Sequence, residues 1–222
     1  MIIYGNVGEA RMAQVVDLKA RRKSAPNIEN GKVPPRRRPN NEVRSREYLT
    51  QDELDALMKT AGDLGRHGHR NRTAILVAYR HGLRVAELVA LRWDQIDLKQ
   101  GLLHVNRLKN GTPSVHPLRG PELRALRRLQ RDYPDSPYVF VTERKGPLTT
   151  STVRKMIARA GEKAGLPFPI HPHMLRHSTV FKLANDGHDT RAIQHYLGHK
   201  NIQHTVRYTE LTPSRFKEFW RD

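Results

Sequence analysis

Six residues between positions 84 and 208 have side chains suited to work on a phosphate ester: Arg84, Lys109, His173, Arg176, His199 and Tyr208. Tyr208 is the candidate nucleophile. A tyrosine hydroxyl has a reference pKa of about 10, so attack on a phosphodiester at neutral pH requires positive charge nearby, a proton acceptor, or both. The remaining five supply those groups. Arg84 and Arg176 can hold non-bridging phosphate oxygens with planar forks and neutralise charge in the transition state, a task that lysine fits less well geometrically. His173 or His199 titrates near neutral pH and can manage protons if the fold brings it within reach.

Each residue also has an ordinary structural reading. Arg84 can be a surface arginine paired with Glu87 one helical turn on. Lys109 can be an exposed lysine beside a turn. Tyr208 can be a packed tyrosine whose hydroxyl finds a partner. His173 and Arg176 lie three apart, on one face of a helix, where they can converge on one phosphate. His173 and His177 have the i, i+4 spacing of some zinc sites, but there is no His-Glu-x-x-His pattern, no cysteine and no evident third ligand, so no metal site is expected. Glycine-rich phosphate loops are absent, which removes support for nucleotide hydrolysis.

These groups must be positioned mainly by helices. Thr50 and Glu53 form a capping box ahead of Leu54, Leu57, Met58, Ala61 and Leu64, spaced for one helical face, with Gly65 as the stop. Order is expected from Thr50. A second helix is expected over Thr73–His81, ending at Gly82, and a third over Val85–Leu91, placing Arg84 at its start. The period then changes: GLLHVNRL and the stretch Thr112–Leu118 flank Lys109-Asn110-Gly111, which reads as a β-hairpin. Helices are expected again at Pro121–Arg131 and about Ser151–Ala164. YVFVT, residues 138–142, reads as a short strand or a buried connector. From His173 the chain reads as several short helices punctuated by Gly187, Gly198 and Pro213. The fold class expected is mainly α with a small antiparallel β-sheet.

Composition bounds the partners. Forty Lys and Arg against 22 Asp and Glu give a formal charge of +18 over 222 residues, which argues for a polyanion, double-stranded DNA first. No apolar run reaches the roughly 20 residues of a spanning helix, and the N-terminus lacks the pattern of a secretory signal. A soluble, cytoplasmic, nucleoid-associated protein is expected, with no membrane partner. There are no cysteines, which excludes disulfides and thiol nucleophiles. Residues 1–48, with PPRRRPNN, read as a basic, extended arm, with a short helix possible over Gly8–Lys23; a merely solvated tail is the alternative. Residues 49–222 read as one catalytic domain.

In order, type and spacing, GLRVAELVALRWDQID, the lysine in a hairpin, HMLRHS, and LGHKN with Tyr208 nine positions after His199 resemble the signature of the tyrosine recombinase, or phage integrase, family. The match runs from about Tyr48 to Tyr208. NRLKNG, IHPHMLRHS and LGHKNIQHTVRYT look most like the short recombinases that invert fimbrial promoter switches. The resemblance implies that Tyr208 forms a 3′-phosphotyrosyl link, that Arg84 and Arg176 clamp the phosphate, and that Lys109 protonates the leaving 5′ oxygen, chosen for its turn over the alternative Lys145, next to Gly146. It makes His173 a proton-transfer and positioning residue and His199 a donor to a phosphate oxygen, with Glu87 and His177 in support.

The same resemblance implies site-specific recombination (inversion, excision or integration) without a cofactor, by a homotetramer on paired DNA sites, with accessory DNA-binding proteins possible. Larger family members carry a helical core-binding domain ahead of the catalytic one, and a basic arm of 48 residues is too short and too polar to supply it. A topoisomerase-like relaxing activity and a non-catalytic DNA-binding regulator are the competing readings. Phe216, Phe219 and Trp220 offer an apolar face that either packs on its own domain or docks on a neighbouring protomer.

Overall fold

In a computed structural model the structure describes residues 46–108, 111–203 and 205–206. Among these residues the order is α1 (Gln51–Asp63), α2 (Gly68–Arg80), α3 (Val85–Val89), a 3-10 turn (Trp93–Gln95), β1 (Ile96–Asp97), β2 (Leu102–Val105), β3 (Ser114–Pro117), α4 (Gly120–Asp132), α5 (Thr150–Lys163), α6 (Pro172–Asn185) and α7 (Thr190–Leu197). The expected class holds: seven α-helices among the described residues accompany one antiparallel sheet of order β1-β2-β3. No helix among the described residues is long and apolar enough to cross a membrane.

The start of α1 follows from local chemistry. Thr50 accepts from the Glu53 backbone N–H while the Glu53 carboxylate accepts from the Thr50 N–H, a reciprocal capping box. Leu54, Leu57 and Ala61, spaced along one face, are buried. Packing begins ahead of Thr50, since Arg46 pairs with Glu53, Tyr48 stacks on Phe181 of α6, and the Leu49 N–H donates to Ser178 at 2.8 Å. α2 starts five residues before the expected Thr73, because buried Arg70 faces inward and donates to the Val141 carbonyl at 2.7 Å. A buried arginine is invisible to an apolar-periodicity reading.

The hairpin is present, with a shorter ladder than expected. Val105 pairs with Ser114 as the last described pair, so 106–108 and 111–113 lie outside the ladder, while Lys109 and Asn110 lie outside the described residues. Arg107 leaves the ladder, its side chain folding inward to ion-pair with Glu87. Along β2 and β3, buried Leu103, Val105 and His116 alternate with exposed His104 and Val115, the period of a half-buried sheet. Residues 138–142 form a buried connector with isolated bridges, and Val139, Phe140 and Val141 lie in the core. The core runs from Leu54, Leu57 and Ile75 through Phe140 to Ile157, Met174 and Leu175 of α5 and α6.

Candidate phosphate-handling site

Arg84 is the N-cap of α3, and the helix folds its own acid onto it. Glu87, three residues on, accepts the Arg84 backbone N–H at 2.9 Å and its guanidinium at 2.8 Å. The ordinary reading of this pair as an i, i+3 contact is thus correct as far as it goes, but it is not a surface pair, since the Glu87 side chain is only 2 % exposed. Burial pushes the Glu87 carboxyl up, but the Arg84 hydrogen bonds and the Arg107 charge together hold it below the usual carboxylate range.

Arg176 reaches the same place from α6. It is buried and donates to the Gly82 carbonyl, two residues before Arg84, and to the Leu197 carbonyl at 2.8 Å. His173 lies one turn earlier on α6 and keeps exposed surface. The protein packed around its ring desolvates it, and the charges of Arg176 and Arg84 add to that effect, so its pKa is lowered despite the opposing pull of Glu47. The His173 and His177 rings stack with centroids 5.1 Å apart and planes 12° apart.

His199 follows α7 directly. Gly198 closes the helix in the left-handed conformation at φ 63°, and a Cβ there would come within 2.7 Å of Arg107 Cγ and 2.8 Å of the Thr112 carbonyl. Glycine is therefore required both by the backbone and by the close approach of the hairpin. His199 Nδ1 lies 3.0 Å from Thr205 Oγ1, and when that hydroxyl donates, the imidazole proton resides on Nε2.

A buried polar network seats α7. The Tyr196 ring stacks on His116 of β3 at 3.8 Å, and its hydroxyl donates to the Arg80 carbonyl at 2.8 Å. His116 Nδ1 lies 3.1 Å from His81 Nδ1, and His81 Nε2 lies 2.7 Å from Glu122. Burial, then the neighbouring charges of His81 and Arg107, lowers the His116 pKa to about 3, while burial pushes Tyr196 up to about 12. Both stay neutral at physiological pH.

The structure therefore brings Arg84, Glu87, His173 and Arg176 together, places His177 against His173, and sets His199 beyond the helix end that Arg176 binds. Lys109 and Tyr208 lie outside the described residues, as do the basic arm to residue 45, the possible helix at Gly8–Lys23, and Phe216, Phe219 and Trp220. Lys145 pairs with Asp135 at 3.3 Å on an exposed turn. Sequence reasoning missed Arg107, Thr205, Tyr196 and the His81–His116 pair. Only Thr205 carried a hint, as a hydroxyl six residues from His199 within one motif.

The domain is mainly helical with a three-stranded sheet, and it gathers two arginines, an acid and a histidine from distant segments. The family model described as "Phage integrase family" matches residues 47–215, and the chain belongs to that family. It is 42% identical over 182 residues to the type 1 fimbriae regulatory protein FimB of Escherichia coli (strain K12), covering 80% of this chain and 90% of that one. It is 35% identical to tyrosine recombinase XerA of Pyrococcus furiosus, covering 77% of this chain and 59% of the relative.

Among solved structures, the crystal structure of XerA recombinase superposes with a TM-score of 0.68 at 30% identity, covering 78% of this chain and 63% of that one. A lambda integrase dimer bound to a COC′ core site gives 0.61 at 25%, covering 79% and 50%. The chain thus spans about half to two-thirds of these longer proteins. By fold and family it is a site-specific DNA recombinase of the tyrosine class, and the expected likeness to fimbrial-switch proteins is met.

Proposed function

We propose that the chain cuts and rejoins double-stranded DNA through Tyr208, with residues 49–222 as the catalytic domain. The Tyr208 oxygen attacks the scissile phosphorus as its proton leaves to a base, for which His173 is suited. The bond to the 5′ oxygen breaks, and Lys109 protonates that oxygen, leaving a 3′-phosphotyrosyl link and a 5′-hydroxyl. Attack by the 5′-hydroxyl of an exchanged strand reverses these steps and frees Tyr208. The covalent link conserves the phosphodiester energy, so rejoining needs no nucleotide.

Arg84 and Arg176 hold the non-bridging oxygens, His199 donates to one of them, and Glu87 and His177 support the first arginine and His173 respectively. The observation that carries this reading is the convergence of Arg84 and Arg176, 92 positions apart, with Arg176 bonded to the carbonyl of Gly82 and both charges acting on His173. A lowered pKa keeps His173 unprotonated near neutral pH, the form that can accept the Tyr208 proton. A homotetramer on paired sites, accessory DNA-binding proteins, a cytoplasmic, nucleoid-associated location and DNA contacts by the basic arm belong to the same proposal.

The test is covalent capture. Wild-type protein and Tyr208→Phe are incubated with sheared DNA from the source organism, denatured in detergent, and the attached DNA is sequenced. Adducts at discrete sequences with wild type alone support the proposal; equal capture by Tyr208→Phe, or none by either with DNA binding intact, overturns it.

A further inference from the structure

The Arg84–Glu87 pair has a third member to which the mechanism above gives no role. Arg107, in the loop after β2, has no exposed side-chain surface. An ion so placed requires close partners. Its Nη1 donates to Glu87 Oε2 at 3.0 Å, and its Nη2 donates to the Tyr196 carbonyl at 2.5 Å and the His81 carbonyl at 3.3 Å. The other Glu87 oxygen holds the Arg84 guanidinium at 2.8 Å. One buried carboxylate therefore lies between two guanidiniums.

The seat is built for this side chain. A Cβ at Gly111 would fall 2.6 Å from Arg107 Cβ, and one at Gly198 would fall 2.7 Å from Arg107 Cγ. The loop and the end of α7 close on the arginine stem from both sides, which no side chain larger than hydrogen at those positions would permit.

Charge explains why a second arginine is useful there. With Arg84 alone opposite it, the Glu87 carboxylate would cancel at short range the charge that Arg84 offers to a phosphate. With Arg107 in place the trio carries a net positive charge, and Glu87 can fix the direction of Arg84 without neutralising it. We propose that Arg107 is a positioning residue of the cleavage site, acting through Glu87 to leave Arg84 both oriented and electrostatically available to the scissile phosphate. This rests on the reading of Arg84 as a phosphate clamp.

The alternative is that Arg107 merely ties the hairpin loop to α7, and charge-conserving and charge-balancing variants separate the two. The rate of detergent-resistant adduct formation on sheared source-organism DNA is measured for wild type, Arg84→Ala, Glu87→Gln, Arg107→Lys, Arg107→Met and Arg107→Met/Glu87→Gln, with melting and DNA binding followed on the same samples. Arg107→Met is expected to lose about a hundredfold in rate, Arg107→Lys to stay within about tenfold of wild type, and the double variant to recover to within about threefold of Glu87→Gln.

Equal defects in Arg107→Lys and Arg107→Met, or a double variant much slower than Glu87→Gln, would show a mechanical tie and overturn the proposal. If Arg107→Met melts below the assay temperature, the comparisons of Arg107→Lys with wild type and of the double variant with Glu87→Gln still decide. Wild-type rates in Arg84→Ala would overturn the clamp reading beneath it, whereas a defect in Arg84→Ala with no epistasis to Glu87 sinks the Arg107 inference alone.

Discussion

Arg176 on α6 donates to the carbonyl of Leu197, the last residue of α7, at 2.8 Å, while its other terminal nitrogen donates to Gly82 ahead of Arg84. One guanidinium thus joins the two segments that carry Arg84 and His199. The forked geometry matters as much as the charge, because an ammonium cannot span two carbonyls and a phosphate from one planar frame.

Arg176→Lys should therefore lower the cleavage rate by about a hundredfold or more while leaving DNA affinity within a few-fold of wild type. Single-turnover adduct formation and a binding titration on the same DNA check this. A parallel fall in both would mean that Arg176 serves binding and not the transition state.

The choice between Lys109 and Lys145 as proton donor yields a second prediction. Lys145 sits on an exposed turn and pairs with equally exposed Asp135, an arrangement that does little beyond solvation. Lys145→Ala should cleave at the wild-type rate, whereas Lys109→Ala should fall by about a hundredfold, the usual contribution of a positioned general acid. The reverse pattern in adduct kinetics would move the role to Lys145.

Much of this site was legible because its signals are local. Thr50 and Glu53 announced a helix start, and Arg84 and Glu87 met at the expected helical spacing. Arg176 and His173 lay one turn apart on α6 as their spacing required. What escaped was long-range. Arg107 is buried by partners 20 and 89 positions away, in a loop where periodicity says nothing. Likewise no local signal marks His81 and His116 as partners, since their rings meet only through the packing of the end of α2 against β3.

Gly198 gives a third prediction, drawn from the close approach at the end of α7. Gly198→Ala places a Cβ in a left-handed residue and against both Arg107 and the Thr112 carbonyl. The combined backbone and packing penalty should be about 2–4 kcal/mol, read from the urea midpoint at unchanged m. Gly165, also left-handed but with open space around its missing Cβ, should cost only about 1 kcal/mol as Gly165→Ala. Equal losses at the two sites would mean that α7 does not rely on this contact.

The last prediction concerns pH and the buried His116. Its folded pKa of about 3 lies below the ordinary value of 6.5, burial acting first and the charges of His81 and Arg107 second. The groups facing it are His81, itself bonded to Glu122, together with Ser114, Tyr196 and Arg107. Because the folded state binds a proton less readily than the unfolded chain, this group favours folding above pH 6.5 and does so less and less as pH falls from 6.5 towards 3. Between pH 7 and pH 5 the loss should be about 2 kcal/mol. His116→Gln can keep a hydrogen bond to His81 but does not titrate, so the stability gap between wild type and His116→Gln should shift by that amount, in favour of the variant, over the same interval. Urea denaturation of both proteins at the two pH values measures it, and a gap independent of pH would show that His116 does not resist protonation in the folded protein.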